Sequence, residues 1–224
     1  MNSFHKKPIV TYGLIAVNLL VFIGMTLSGG TQNAVNLIAW GAKYNPLIIQ
    51  GELWRLFTPM FIHIGLEHLA LNLLTLYFLG VQLEQLFGKW RFLALYLISG
   101  VGGNILSFAL SSNISAGAST SLFGLFGAYL MLGESFRQNQ YIRMISRQFL
   151  VLIVLNLGFD LFAGGIDIWG HLGGLLAGFL ASYAVGVPNV GTIPRMKRIV
   201  SVVALVVVYG LLLQTGFDHW QYPV

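Results

Sequence analysis

No cysteine occurs in the 224 residues, which excludes disulfides, thiolate nucleophiles and cysteine-ligated metal while leaving the redox compartment undetermined. Charge is almost as scarce: Asp, Glu, Lys and Arg make up 8% of the chain, against roughly 25% in an ordinary soluble domain. With 56% of residues hydrophobic, too little polar surface is left to solvate a globule, and the composition reads as an integral membrane protein. No polar stretch is long enough to form a separate soluble domain, so residues 1–224 are read as a single membrane domain. The net charge of +5 does not mark a nucleic-acid partner, because the basic residues sit in short groups beside apolar runs and form no stripe with interleaved aromatics. Nor does the N-terminus read as a secretory signal. His5, Lys6 and Lys7 precede an apolar run, Ile9 to Leu27, that is long enough to span and shows no clear small-residue cleavage site.

A membrane crossing takes about 20 predominantly apolar residues. Seven segments qualify, near 9–27, 66–84, 92–111, 116–133, 149–164, 168–187 and 199–217. The expected fold is therefore all-α, a polytopic bundle of seven transmembrane helices, with a core at about 9–187 and an additional C-terminal helix at about 199–217. No Asp, Glu, Lys or Arg lies between Arg91 and Glu134. As one helix that run would be about 63 Å long, so it is two crossings, with the turn expected at Ser111, Ser112 and Asn113. Ser119 then falls just inside the fourth helix. Of the 12 basic residues, only Lys43 and Arg55 fall outside the N-terminus and alternate loops, so the positive-inside rule puts the N-terminus in the cytoplasm and the C-terminus outside. The alternating basic loops and the lack of an organelle presequence point to a bacterial plasma membrane. The long first loop, 28–65, is too apolar for a solvated tether, and Trp54, Arg55 and Phe57 are expected at headgroup depth, with the charged tip in the wet layer.

Helices two, four and six all enter from the outside, and their polar residues come early: His68 and Asn72, Ser119, and His171. All four share a depth. His68 and Asn72 project from one helix face, and His171, Gly174 and Gly178 line one face of the sixth helix. Small residues there let a neighbouring helix approach closely, pressing His171 against protein instead of lipid. On the fourth helix Gly117, Thr120, Ser121, Gly124 and Ala128 form a small-residue stripe from which Ser119 is displaced by about 100°, so Ser121 reads as packing and Ser119 does not. A lone serine in such a run would be read as packing, and a lone intramembrane histidine or asparagine as interhelical glue. Several such groups at one depth favour a catalytic reading, since polar groups in hydrocarbon are costly.

The chemistry open to these groups is amide hydrolysis. A serine hydroxyl is a weak nucleophile until a base takes its proton, and imidazole titrates near working pH. His68 and Asn72 are candidate side-chain donors to a tetrahedral oxyanion, joined by the backbone amide of Ser119 at a helix N-terminus. No acidic residue stands beside His171 as an obvious third member. Asp167, four residues earlier, is expected at the outer surface, so a Ser119–His171 dyad is expected.

At these residues the sequence resembles the rhomboid family of intramembrane serine proteases, in its bacterial form of six core helices plus one C-terminal helix. The resemblance rests on Trp54-Arg55 in the first loop, His68 and Asn72 opening the second helix, Glu84 at its far end, Gly117-x-Ser119 opening the fourth, and His171, Gly174 and Gly178 in the sixth. It covers about residues 50 to 186. It implies Ser119 as nucleophile, His171 as general base, and His68 and Asn72 as oxyanion contributors, and it puts His63 near the active-site mouth. It implies a serine endopeptidase with no cofactor and no metal, whose partners are single-span transmembrane substrates and the lipid bilayer. One departure stands out: Thr120 follows the nucleophile where many members have glycine, and its bulk is expected to narrow the oxyanion cavity or the substrate side-chain pocket.

Other hydrolase patterns fit less well. His63 and His68 are five apart, which breaks both HExxH and its inverse. Neither Asp160 nor Asp167 sits in an aspartyl-protease pattern. Two alternatives of other classes stand beside the protease: a catalytically inactive relative that binds transmembrane helices, and a transporter, for which no inverted repeat is evident.

Overall fold

The structure, a computed structural model, describes residues 7–162 and 164–221. His5 and Lys6 of the basic N-terminal group lie outside the described residues. Helix α1 (Ile9–Leu27) is followed by a long loop carrying two short helices, α2 (Ala34–Ala39) and α3 (Asn45–Ile49), and two 3-10 turns (Leu53–Leu56 and Thr58–Phe61). Six long helices follow among the described residues: α4 (Gly65–Phe87), α5 (Lys89–Leu110), α6 (Ser119–Ser135), α7 (Gln140–Phe162), α8 (Ile168–Val185) and α9 (Arg195–Gln221). Each expected span corresponds to one long helix, and the chain is a multi-pass integral membrane protein.

Among the described residues, six of the helices are long and apolar enough to cross a membrane. The exception is α6, with 17 residues. At about 1.5 Å per residue it measures roughly 26 Å, a few ångströms short of the roughly 30 Å hydrocarbon core. Because it begins at Ser119, three residues later than expected, Ser119 sits at the helix end. The helix α7 differs in the other direction. Its start at Gln140, where 149 was expected, adds two turns bearing Arg143 and Arg147, whose charges end an apolar window but not a helix.

Helix α6 is the hub, packed chiefly between α8 and α5. The seam is made of missing side chains. A Cβ at Gly178 would strike the backbone of Gly124, one at Gly174 would strike the Thr120 carbonyl, and one at Gly127 would strike the Leu175 carbonyl. Glycine spacing in α5 repeats this: a Cβ at Gly102 would strike Ala177, and one at Gly103 would stand 2.5 Å from the Gly170 carbonyl. Such close approach lets dispersion and helix–helix packing replace the hydrophobic drive that lipid cannot supply. Around this seam lies the main buried cluster, including Leu76, Leu83, Phe87, Phe92, Leu95, Tyr96 and Leu125. At its edge the buried carboxylate of Glu84 accepts from the Val10 and Thr11 amides and the Thr11 hydroxyl, capping orphan donors at the start of α1. The C-terminal helix α9 lies on the α5 and α8 side, tied by Tyr209 Oη to the Ile98 carbonyl and by Trp220 Nε1 to the Phe108 carbonyl.

The first loop corrects one expectation. Arg55 does not reach a wet layer: it is 5% exposed, with Nη1 donating to the carbonyls of Ile38 and Ala42 and Nε paired with Glu52 at 2.6 Å. Its guanidinium closes the end of α2, and Trp54 alone of the pair is exposed. Lys43 is likewise fully buried, donating to the Ser107 and Ser111 carbonyls at the end of α5. Burial pushes its ammonium down to about 8, partly opposed by the Asp167 carboxylate. The two basic residues that break the charge bias are thus structural staples of the loop.

Candidate active site

The local backbone before α6 determines where Ser119 points. Gly117 has φ +141, and its amide donates to the Pro59 carbonyl. The next amide, of Ala118, donates to His63 Nε2 at 3.3 Å. His63 is fully buried behind this segment, not at the cleft mouth where it was expected. Burial, reinforced by the neighbouring His68, pushes its imidazole down to about 3, so it stays neutral and keeps a lone pair for Ala118. His63 therefore braces the segment leading into Ser119.

Ser119 Oγ lies 2.9 Å from His171 Nε2, across the α6–α8 seam. The imidazole is held on two further sides. The ring of Phe123, one turn along α6, stacks on it at 4.2 Å between centroids, 13° from parallel. The carboxylate of Asp160, from α7, meets its Nδ1 at 2.6 Å. The sequence offers no obvious acid beside His171, yet Asp160, eleven residues earlier, stands against its ring. Asp167, the acid nearest in sequence, caps α8 instead: its side chain accepts from the Gly170 amide at 3.0 Å and from the Ser107 hydroxyl at 2.5 Å.

Opposite the pair stands α4. Asn72 donates through Nδ2 to the His68 carbonyl at 2.8 Å, which leaves its second amide hydrogen, while its buried Oδ1 has no partner among the described residues. His68 Nδ1 faces the Ile64 amide at 3.4 Å, so Nε2 is the ring atom directed toward Gly117 and Ser119. A Cβ on Gly117 would stand 2.7 Å from His68 Cε1 and 2.9 Å from its Nε2. The glycine thus makes room for an imidazole beside Ser119. The first amides of α6, Ser119 included, have no preceding turn to accept from them and carry the positive end of the helix dipole.

Ser119, His171, His68, Asn72, Phe123 and Asp160 all line one cavity of about 640 Å³. It runs between α4 and α7, which make no extended packing with each other. Thr120 does not line it. Its side chain turns the other way, toward Gly103 and Gly170, so the bulk expected to narrow the cavity fills a gap between α5 and α8. Ser121, as expected, is a packing residue, buried with its hydroxyl against Met60 Sδ. Gly174 and Gly178 occupy the α6–α8 seam assigned to them.

Sequence reasoning missed Asp160 and Phe123. Phe123 was findable, since position i+4 from a helical serine shares its face. Asp160 was not, because its approach depends on how α7 turns into α8.

A sunken serine–histidine–carboxylate series inside a bundle of spanning helices defines a class: a polytopic membrane protein with a hydrolase-type site. Residues 50–188 match the Rhomboid domain, and the chain belongs to the rhomboid family. It is 44% identical over 202 residues to Rhomboid protease GluP of Bacillus subtilis, which covers 90% of this chain and 39% of that one. RHOMBOID-like protein 4 of Arabidopsis thaliana is 43% identical over 146 residues, 62% of this chain and 36% of its own length. YdcA of Bacillus subtilis, provisionally described as a rhomboid protease, is 32% identical over 181 residues, 79% of this chain and 87% of its own. The chain thus spans well under two thirds of GluP and of RHOMBOID-like protein 4.

Proposed function

We propose that the chain is an intramembrane serine endopeptidase that hydrolyses peptide bonds in or near the transmembrane segments of single-span membrane proteins. The observation that carries this is the 2.9 Å approach of Ser119 Oγ to His171 Nε2 at the floor of a cavity open between helices. Family membership supports the same reading.

Ser119 Oγ attacks the scissile carbonyl carbon as its proton passes to His171 Nε2. The carbonyl oxygen becomes an oxyanion, met by His68 Nε2–H, the second Nδ2 hydrogen of Asn72 and the Ser119 amide. His171 then gives the proton to the leaving amine. Water repeats the sequence on the acyl-enzyme, restoring the hydroxyl. A helical substrate hides its backbone amides, so its segment unwinds before attack, and the gap between α4 and α7 offers it a lateral path. The basic ends of the helices lie opposite Ser119, which supports an outward-facing site with a cytoplasmic N-terminus, in a bacterial plasma membrane.

Ser119→Ala and His171→Ala each abolish cleavage of a single-span substrate in liposomes while the fold persists. A fluorophosphonate labels wild type and not Ser119→Ala. A folded wild-type protein that neither cleaves nor labels would overturn the proposal in favour of a relative that holds transmembrane helices without cutting them.

A further inference from the structure

Helix α7 is bound to the bundle unevenly. Its first half is anchored on α6: Ser146 Oγ donates to the Tyr129 carbonyl at 2.7 Å, and the Phe149 ring stacks on Tyr129 at 4.0 Å. Its second half leaves Val151, Val154, Leu155, Leu161 and Phe162 exposed, while Phe159 lines the cavity. Against α8 it makes little contact. In that half one polar tie stands out, the 2.6 Å contact from Asp160 Oδ2 to His171 Nδ1, with both side chains nearly buried, at 5% and 10% exposure. The segment that follows contains Gly164 and Gly165, neither of which has anything within 4 Å of an added Cβ.

An imidazole serves as base to Ser119 only when Nε2 carries the lone pair and Nδ1 the proton. A carboxylate at Nδ1 selects that tautomer and stabilises the imidazolium that forms during attack. Here the carboxylate rides on the helix that borders the substrate path. Moving the outer half of α7 away from α8 widens the cavity and at the same time withdraws Asp160 from the base.

We propose that Asp160 is a positioning residue for His171, and that the base is set for proton transfer only while the outer half of α7 is closed against α8. This rests on the proteolytic reading above. Substrate admission and proton transfer then occupy different positions of α7, so an empty, open enzyme holds a poorly oriented base. The groups facing the imidazole are Ser119 and Phe123 from α6, His68 from α4 and Asp160 from α7, with Asp167 at the head of its own helix.

The test uses the full chain in liposomes with two substrates, a single-span protein and a small fluorophosphonate that needs no helix entry. General-base assistance contributes about 100-fold to 10,000-fold, and Asp160→Asn lowers both kcat and the labelling rate of Ser119 by about 100-fold, with KM within threefold. Asp160→Glu restores most of the loss, which a merely packing role would not permit. The absence of cysteine allows a Phe78→Cys, Leu152→Cys pair, on opposite walls of the cavity, to be bridged by a thiol crosslinker so that α7 cannot swing away from the bundle. The bridged protein loses cleavage of the single-span substrate and keeps labelling at the wild-type rate. Asp160→Asn within threefold of wild type in kcat, failure of Asp160→Glu to restore activity in a folded protein, or labelling slowed by the bridge would each overturn the proposal. Loss of all labelling in wild type would instead overturn the proteolytic reading itself.

Discussion

Replacing Gly117 by alanine adds one methyl between Ser119 and the His68 ring. At φ +141 the backbone lies where side-chain-bearing residues are strained, at a cost of about 1–3 kcal/mol. The new Cβ would stand 2.7 Å from His68 Cε1, whereas carbon atoms settle at about 3.5–4.0 Å, so the imidazole must retreat by about 1 Å. On the proposed mechanism, a His68 displaced that far no longer reaches the oxyanion. Removal of one oxyanion donor costs about 100-fold to 1000-fold in kcat, or roughly 2.7–4 kcal/mol. The expected result is a kcat lowered by about two orders of magnitude on a single-span substrate in liposomes, with fluorophosphonate labelling slowed in parallel. Thermal unfolding in detergent separates this from loss of fold. His68→Ala in the same protein sharpens the test, because with the imidazole gone Gly117→Ala costs only its backbone strain and the two losses fail to add. A Gly117→Ala enzyme within threefold of wild type, or full additivity with His68→Ala, would refute the view that this glycine exists to seat His68.

Two further outcomes follow from buried charge. Lys43 is held down to about 8 in the folded protein, from 10.5 when exposed. Unfolded chains therefore bind more protons between these values, and the lysine's contribution to stability is present above about 10.5 and lost as pH falls through about 8. Thermal unfolding against pH checks this, since Lys43→Met removes the rise across that window if the assignment is right. Glu84→Gln weakens the cap on the first amides of α1 and lowers stability by about 1 kcal/mol, read as a lower Tm with kcat unchanged. A fall in kcat without a fall in Tm would contradict a purely structural role.

Legibility in the sequence follows how local each property is. Span existence depends only on apolar length, so every expected crossing corresponds to a long helix, while ends shifted where charge stops short of helix, as at Arg143 and Arg147 in α7. Ser119, His171, His68 and Asn72 were legible because each interrupts an apolar run at one depth. The direction of Thr120 was not, because it depends on room left by Gly103 and Gly170 on two other helices. Arg55 misled for a related reason: its partners, the Ile38 and Ala42 carbonyls, lie far back in the loop.

Composition and the spacing of polar residues along the chain determined by themselves that this protein spans a membrane and that a hydroxyl and an imidazole enter it at one level, because solvent transfer and helical rise are properties of short segments. The meeting of Asp160 with His171, the brace of His63 behind Ala118 and the open gap between α4 and α7 were decided by tertiary structure alone. Each depends on the rotation and separation of helices, and those are settled where glycine-lined surfaces touch, not by any one segment.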